Sequence, residues 1–230
     1  MKHATCAVAL LLSLLAVPFS SGGGSLGATA FAVGHGGVWV GTGGGSVWRL
    51  SESGTLGRPT RWLTGGFRVS TFVHGLEAAF GSVWVADGTG GRLVRLDPRR
   101  RFRPVEVRKQ GLWHPTHLAI AAGAVWVVTA GPGWRIAPIG PRFFHRIDPG
   151  TNRVSSFRRV GCDPLIAATG ETLWLADGCS GTTLRRISSS TGSEQAIELP
   201  ARPSSLALGY GSLWVRPGPR RSDSISHPCG

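Results

Sequence analysis

Five times along the chain an apolar residue is followed, eight positions later, by a tryptophan set between aliphatic neighbours. The pairs are Phe31 and Trp39, Leu76 and Trp84, Leu118 and Trp126, Ile166 and Trp174, and Leu206 and Trp214. The tryptophans sit in the runs Val38–Val40, Val83–Val85, Val125–Val127, Leu173–Leu175 and Leu213–Val215, at intervals of 45, 42, 48 and 40 residues. Glycine stands three positions before the tryptophan in four copies, as Gly36, Gly81, Gly123 and Gly211; Glu171 breaks the rule, with Gly170 beside it. Each copy continues through a turn into an alternating segment that ends in Arg49-Leu50, Arg95-Leu96, Arg146-Ile147 or Arg186-Ile187. A turn and a further β-type segment follow, such as Pro104–Val107 or Arg153–Phe157, the latter after the strong turn sequence Asp148-Pro149-Gly150-Thr151-Asn152. Alternation of period two argues for strands. Four strands per unit at a period near 45 residues, with no helical spacing, predict β-propeller blades; a β-sandwich would supply strands without so fixed a period.

The expected fold is therefore all-β, with about four and a half four-stranded blades over residues 26–216. The fifth unit stops after its tryptophan run, and residues 217–230 show no alternation and read as an irregular tail. A propeller closes by pairing its ends, so the expectation is an incomplete or open ring: a remnant of a longer propeller, or an arc capped by a partner.

The phrases Gly81-Ser82-Val83-Trp84-Val85-Ala86-Asp87 and Leu93-Val94-Arg95-Leu96-Asp97-Pro98 resemble the YVTN-type bacterial propeller repeats, and more loosely the streptogramin (virginiamycin B) lyase group. The resemblance implies a propeller, usually of six to eight blades. It implies no single activity, because such repeats serve many roles. In the lyase group it implies an eliminating enzyme with a histidine base, but no lyase motif maps onto this chain residue by residue.

The start of the chain modifies this picture. Lys2 and His3 precede an apolar stretch from Ala7 to Phe19 that only Ser13 interrupts, and residues 20–25 are small and polar. That is too short for a membrane span and suits a signal peptide over residues 1–21, so a secreted or extracytoplasmic protein without a transmembrane anchor is expected. The 35 glycines fit a turn-rich repeat, and the formal charge is +13, with every basic residue except Lys2 and Lys109 an arginine. Such a charge attracts polyanions without selecting a specific nucleic acid, and most of it is expected on the solvated surface.

Propeller geometry places the candidate chemistry. The segments entering the first strand of each blade and the loops after each tryptophan strand share one face, here called the top. They carry His74, Trp113, His114, His117, Cys162, Asp163 and Arg202, with Asp87, Asp177 and Cys179 in the loops. Trp126 and Arg146 are 20 residues apart, where other units need 10 to 12, and this insertion holds Pro132, Trp134, Arg135 and Arg142. Long loops on a rigid scaffold often bind ligands. Trp113, His117, Trp134, Arg135 and Asp163 are therefore the expected ligand-binding residues, the two tryptophans as an aromatic wall or as each other's packing partners. Histidine suits proton transfer and metal ligation alike, so His74, His114 and His117 are the candidate catalytic residues. No metal or other cofactor is expected, since His114-x-x-His117 is not a zinc spacing by itself. His35, in a bottom turn, and His145, inside a strand, are expected to be structural, and Asp87 and Asp177 to cap turn amides. Cys162 and Cys179 flank the first two strands of unit four, whose ends share a face, and are expected to form a disulfide, as export permits.

No Walker loop, nucleophile elbow, dinucleotide fingerprint or HExxH motif occurs. The leading expectation is a non-enzymatic scaffold that binds a protein, glycan or small ligand on the top face. The alternatives are a lyase or hydrolase using a top-face histidine and a non-functional remnant.

Overall fold

The computed structural model describes residues 27–51, 72–88, 90–97, 103–107, 112–131, 142–161, 163–179 and 181–218. Every regular element among them is a strand, and the strands group by unit. Unit one supplies β1 (Ala28–Val33), β2 (Gly37–Thr42) and β3 (Val47–Ser51); its expected fourth strand falls outside the described residues. Unit two supplies β4 (Val73–Ala79), β5 (Ser82–Asp87), β6 (Arg92–Asp97) and β7 (Arg103–Val107). Unit three supplies β8 (Pro115–Ala121), β9 (Ala124–Ala130), β10 (Arg142–Ile147) and β11 (Val154–Val160). Unit four supplies β12 (Pro164–Thr169), β13 (Thr172–Asp177), β14 (Thr183–Ser188) and β15 (Glu194–Glu198), and unit five only β16 (Pro203–Gly209) and β17 (Ser212–Pro217). Each sheet is an antiparallel meander in chain order, and all five repeat tryptophans lie on second strands. This is the architecture of propeller blades.

The first two strands of a unit join through two-residue turns. His35–Gly36, Phe80–Gly81, Ala122–Gly123 and Tyr210–Gly211 all have positive φ at both positions, as type I′ hairpins require. Unit four differs. Gly170, at φ 54°, is the left-handed residue and Glu171 is not, which matches a turn with glycine at its first central position. The broken glycine position in the sequence is therefore an exchange of turn type.

The tryptophans tie these hairpins. Indole Nε1 donates to the carbonyl five residues earlier: Trp39 to Gly34 at 3.0 Å, Trp84 to Ala79 at 3.4 Å, Trp126 to Ala121 at 3.1 Å and Trp214 to Gly209 at 3.2 Å. Trp174, in the unit with the altered turn, has a buried Nε1 without a hydrogen-bond partner among the described residues. The arginine of each Arg-Leu or Arg-Ile phrase sits across the sheet from the tryptophan. Arg49, Arg95 and Arg186 lie 5.6, 5.4 and 5.8 Å from the ring centroids of Trp39, Trp84 and Trp174, within cation–π range. Part of the arginine excess is thus built into the repeat. Arg95 also reaches the next blade, donating to Pro149 O at 2.5 Å in the Asp148–Asn152 turn.

Blades pack face to face through these residues. Trp39 joins Leu76, Val83 and Val85 of unit two; Trp84 joins Leu118, Val125 and Val127 of unit three; Trp126 joins Leu173 and Leu175 of unit four. The innermost strands β1, β4, β8, β12 and β16 touch in succession. At the end of the series the pattern fails. Trp84 is 0% exposed and Trp214 60%, because no further blade covers β17 among the described residues. The described blades form an arc with an open end, and the strands reach Pro217, one residue past the expected limit.

Candidate functional site

The tops of units two to four carry the polar groups that the repeat does not need. Strand one opens with a β-bulge in units one, two, three and five, between Ala28 and Ala30, Val73 and Gly75, Pro115 and His117, and Pro203 and Ser205. The bulged residue is Thr29, Thr116 or Ser204 in three of them; Thr116 and Ser204 donate to carbonyls on strand two at 3.4 and 3.2 Å, and Thr29 donates to Val73 O of the next blade at 2.6 Å. In unit two the bulged residue is His74. A bulge re-aims a side chain, and here it aims an imidazole.

His74 Nδ1 donates to Phe72 O at 3.0 Å. A carbonyl only accepts, so neutral His74 carries its proton on Nδ1 and leaves Nε2 as a free acceptor. The ring lies on Gly88, where a Cβ would come within 2.4 Å of Nδ1, so no larger residue fits there without a shift. His117 repeats the arrangement. Thr116 Oγ1 gives its proton to Val128 O, so it accepts from His117 Nδ1 at 3.0 Å, again leaving Nε2 free. Burial holds both histidines below their usual pKa. At His74 the Phe72 bond and Asp87 work against burial and Arg142 works with it; at His117 Asp163 works against it, and Arg142 and His74 work with it. His74, His117 and Arg142 thus lie within one another's electrostatic reach, and both imidazoles are mainly neutral at pH 7.

His114 has another task. Its Nδ1 is hydrogen-bonded to Gly88 O, its carbonyl accepts from Ala130 N at 3.1 Å, and its ring stands 3.4 Å from where a Cβ on Gly91 would lie. It clamps the β5–β6 loop. Asp87, the last residue of β5, is buried, accepts from Gly90 N at 2.8 Å and pairs with Arg92 at 2.9 Å. Asp177 accepts from Cys179 N at 2.8 Å. Both aspartates cap turns. His145 is buried on β10 with its Nε2 against Thr129 Oγ1 at 3.0 Å.

Of the expected ligand-binding residues, Trp113 is 42% exposed just before β8, and Asp163 is exposed just before β12, with its carbonyl accepting from Gly178 N at 3.2 Å. Trp134 and Arg135 fall outside the described residues, and with them the aromatic wall. Arg142, placed by the sequence reading in the insertion, is instead the first residue of β10. It is half-buried and makes no hydrogen bond or ion pair among the described residues. Cys179 is disulfide-bonded; Cys162, its expected partner, lies outside the described residues. Among the described residues no group of three or more His, Cys, Asp or Glu side chains is placed to hold a metal ion.

Two features escaped the sequence reading. A cleft of about 390 Å³ lies along the top of unit four, lined by Val160, Gly161, Pro164, Asp177, Thr183 and Arg185 among others. Such a cleft depends on blade spacing and leaves no mark in the sequence. The second is Glu77, in the middle of innermost strand β4. It pairs across the sheet with Trp84 at a position where the other units have Ala32, Ala119, Ala167 and Ala207. Burial raises its pKa to about 7, and it has no hydrogen-bond partner among the described residues. One glutamate in a column of alanines was the available signal.

No protein-family model matches the chain, and no curated protein sequence matches it either. Solved structures do. The WD40 domain of Neurospora crassa Pan2 superimposes with a TM-score of 0.60 at 11% identity, over 78% of this chain and 54% of that one. BamB from Moraxella catarrhalis gives 0.59 at 13% identity, over 87% and 58%. A streptogramin B lyase gives 0.51 at 16% identity, over 87% and 78%. This chain spans just over half the length of the Pan2 domain and of BamB. At such identities the likeness is one of fold, and the fold it shows is the β-propeller.

Proposed function

We propose that this chain is an exported propeller scaffold that binds a ligand on its top face without transforming it. The observation that supports this most is the meeting of His74, His117 and Arg142, from adjacent blades, in one electrostatic neighbourhood, with Trp113 exposed on the same face. The opposite ends of the inner strands are tight turns tied down by indoles. Export rests on the charged start, apolar run and small-residue exit of the first 25 residues. One of the solved propellers of similar fold is the extracellular domain of a putative one-component system from B. thetaiotaomicron.

A second reading has one specific observation in its favour. His74 presents an unprotonated Nε2 at neutral pH, the state a general base needs. That reading makes the chain a lyase of the streptogramin B type or a hydrolase.

One experiment addresses both. The protein is titrated with soluble glycans, cell-wall fragments, peptides and a streptogramin B, with binding followed by calorimetry and conversion by mass spectrometry. The scaffold reading expects a ligand that is recovered unchanged and binds about tenfold or more weakly to Trp113→Ala, with an unaltered circular dichroism spectrum. Conversion that falls about 10²-fold in His74→Ala would replace it with the lyase reading. Ligands whose affinity is indifferent to Trp113, His74 and His117 alike would remove the top-face site.

A further inference from the structure

Resting on the top-face reading, we infer that Arg142, His74 and His117 form an oxyanion site at the top of β4, β8 and β10, which takes a carboxylate or phosphate group of the ligand. Strands β8, β9 and β10 are successive neighbours with His117 and Arg142 near their common top end, and β4 packs beside them, since a Cβ on Gly75, next to His74, would lie 3.5 Å from Thr116 O and Leu118 N. Arg142 is a half-buried residue whose guanidinium has no hydrogen-bonding or ionic partner among the described residues. A guanidinium is built to receive two oxygens of one anion, and leaving it unpaired in a partly buried place is costly. The anions near it are not available as partners. Asp87 is occupied by Arg92 and the Gly90 amide, and no ion pair joins Arg142 to Asp163.

The histidines fit the same ligand. Both Nδ1 positions are committed to protein acceptors, at 3.0 Å in each case, so only the Nε2 atoms are free to face a guest. An arriving oxyanion offsets the field of Arg142 that helps keep them neutral. Each Nε2 can then take a proton from water and donate it to an anion oxygen, giving a charge-assisted bond. Binding therefore takes up protons. The charged and titratable groups around the cluster are Asp87, Arg92, His114 and Asp163. Asp87 and Arg92 neutralise each other, His114 is held by Gly88 O, and Asp163 is exposed beside His117. None of them supplies the missing anion at Arg142.

The test follows the histidine Cε1–H signals of the full-length protein by NMR, during titration with inorganic phosphate and separately with acetate. The expected result is a saturable shift of the His74 and His117 signals, a rise in both apparent pKa values with anion bound, and at least tenfold weaker binding in Arg142→Gln. The Arg146→Gln variant, changed at the other end of the same strand, should bind as the wild type does. Unmoved signals, or shifts that persist unchanged in Arg142→Gln, would overturn the proposal. A response to phosphate but not acetate narrows the group to phosphate. Neutral ligands that still bind through Trp113 while no anion binds at Arg142 would end this inference and leave the top-face reading standing.

Discussion

Replacing Trp84 with alanine is expected to cost the fold about 3–5 kcal/mol, whereas the same change at Trp214 should cost about 1 kcal/mol or less. The two residues hold the same place in the repeat, and each donates Nε1 to the carbonyl five residues back. They differ in what covers them. Trp84 is wholly buried against Leu118, Val125 and Val127 of the next blade and carries Arg95 over its ring. Truncation there leaves a cavity and frees a guanidinium that also ties two blades together. Trp214 is 60% exposed on the last described strand. Urea denaturation of the two variants beside the wild type gives the comparison. Equal losses would mean that β17 is covered in solution as β5 is.

The second large effect belongs to Glu77. Its folded pKa is raised from 4.5 to about 7 by burial, so the folded state holds the proton more tightly than the unfolded chain does. The stability linked to that proton is fully present below pH 4.5. It drains away as pH rises toward about 7 and is absent above. A shift of this size corresponds to about 3 kcal/mol. Glutamine mimics the protonated acid and does not titrate. The Glu77→Gln variant should therefore match the wild type near pH 4 and exceed it in denaturation midpoint at pH 8 and above. A constant difference between the two across that range would show that Glu77 titrates normally. The other alanine-column residues offer a control, since Ala119 and Ala167 bring no charge to the inner wall.

The blades were legible in the sequence because their determinants are local and repeated. A tryptophan among aliphatics, a glycine three residues before it and an arginine across the sheet recur with little change, and each has one structural task. The top-face site was legible only by location. The segments entering strands β4, β8 and β12 were identified, and His74, His117 and Asp163 stand there. What alternation could not show is the bulge. One extra residue in β4 and β8 decides which way His74 and Thr116 point, and period-two reasoning does not register it. His114 looked equivalent to His117, yet the backbone of Gly88 claims it. The insertion between Trp126 and Arg146 has no internal punctuation, so the sequence places Arg142 in a loop, whereas β10 starts at that residue. Glu77 was visible in principle, but only after the five units are laid in register.

An arc of blades with an open end requires a graded burial of equivalent tryptophans along it. Hydroxyl-radical footprinting of the intact protein, read by mass spectrometry for each tryptophan, measures that gradient. Trp39 and Trp84, at 1% and 0% exposure, should be modified last, and Trp113 and Trp214, at 42% and 60%, first. Protection of Trp214 equal to that of Trp84 would contradict the open arc, and uniform modification of all four would contradict the blades themselves.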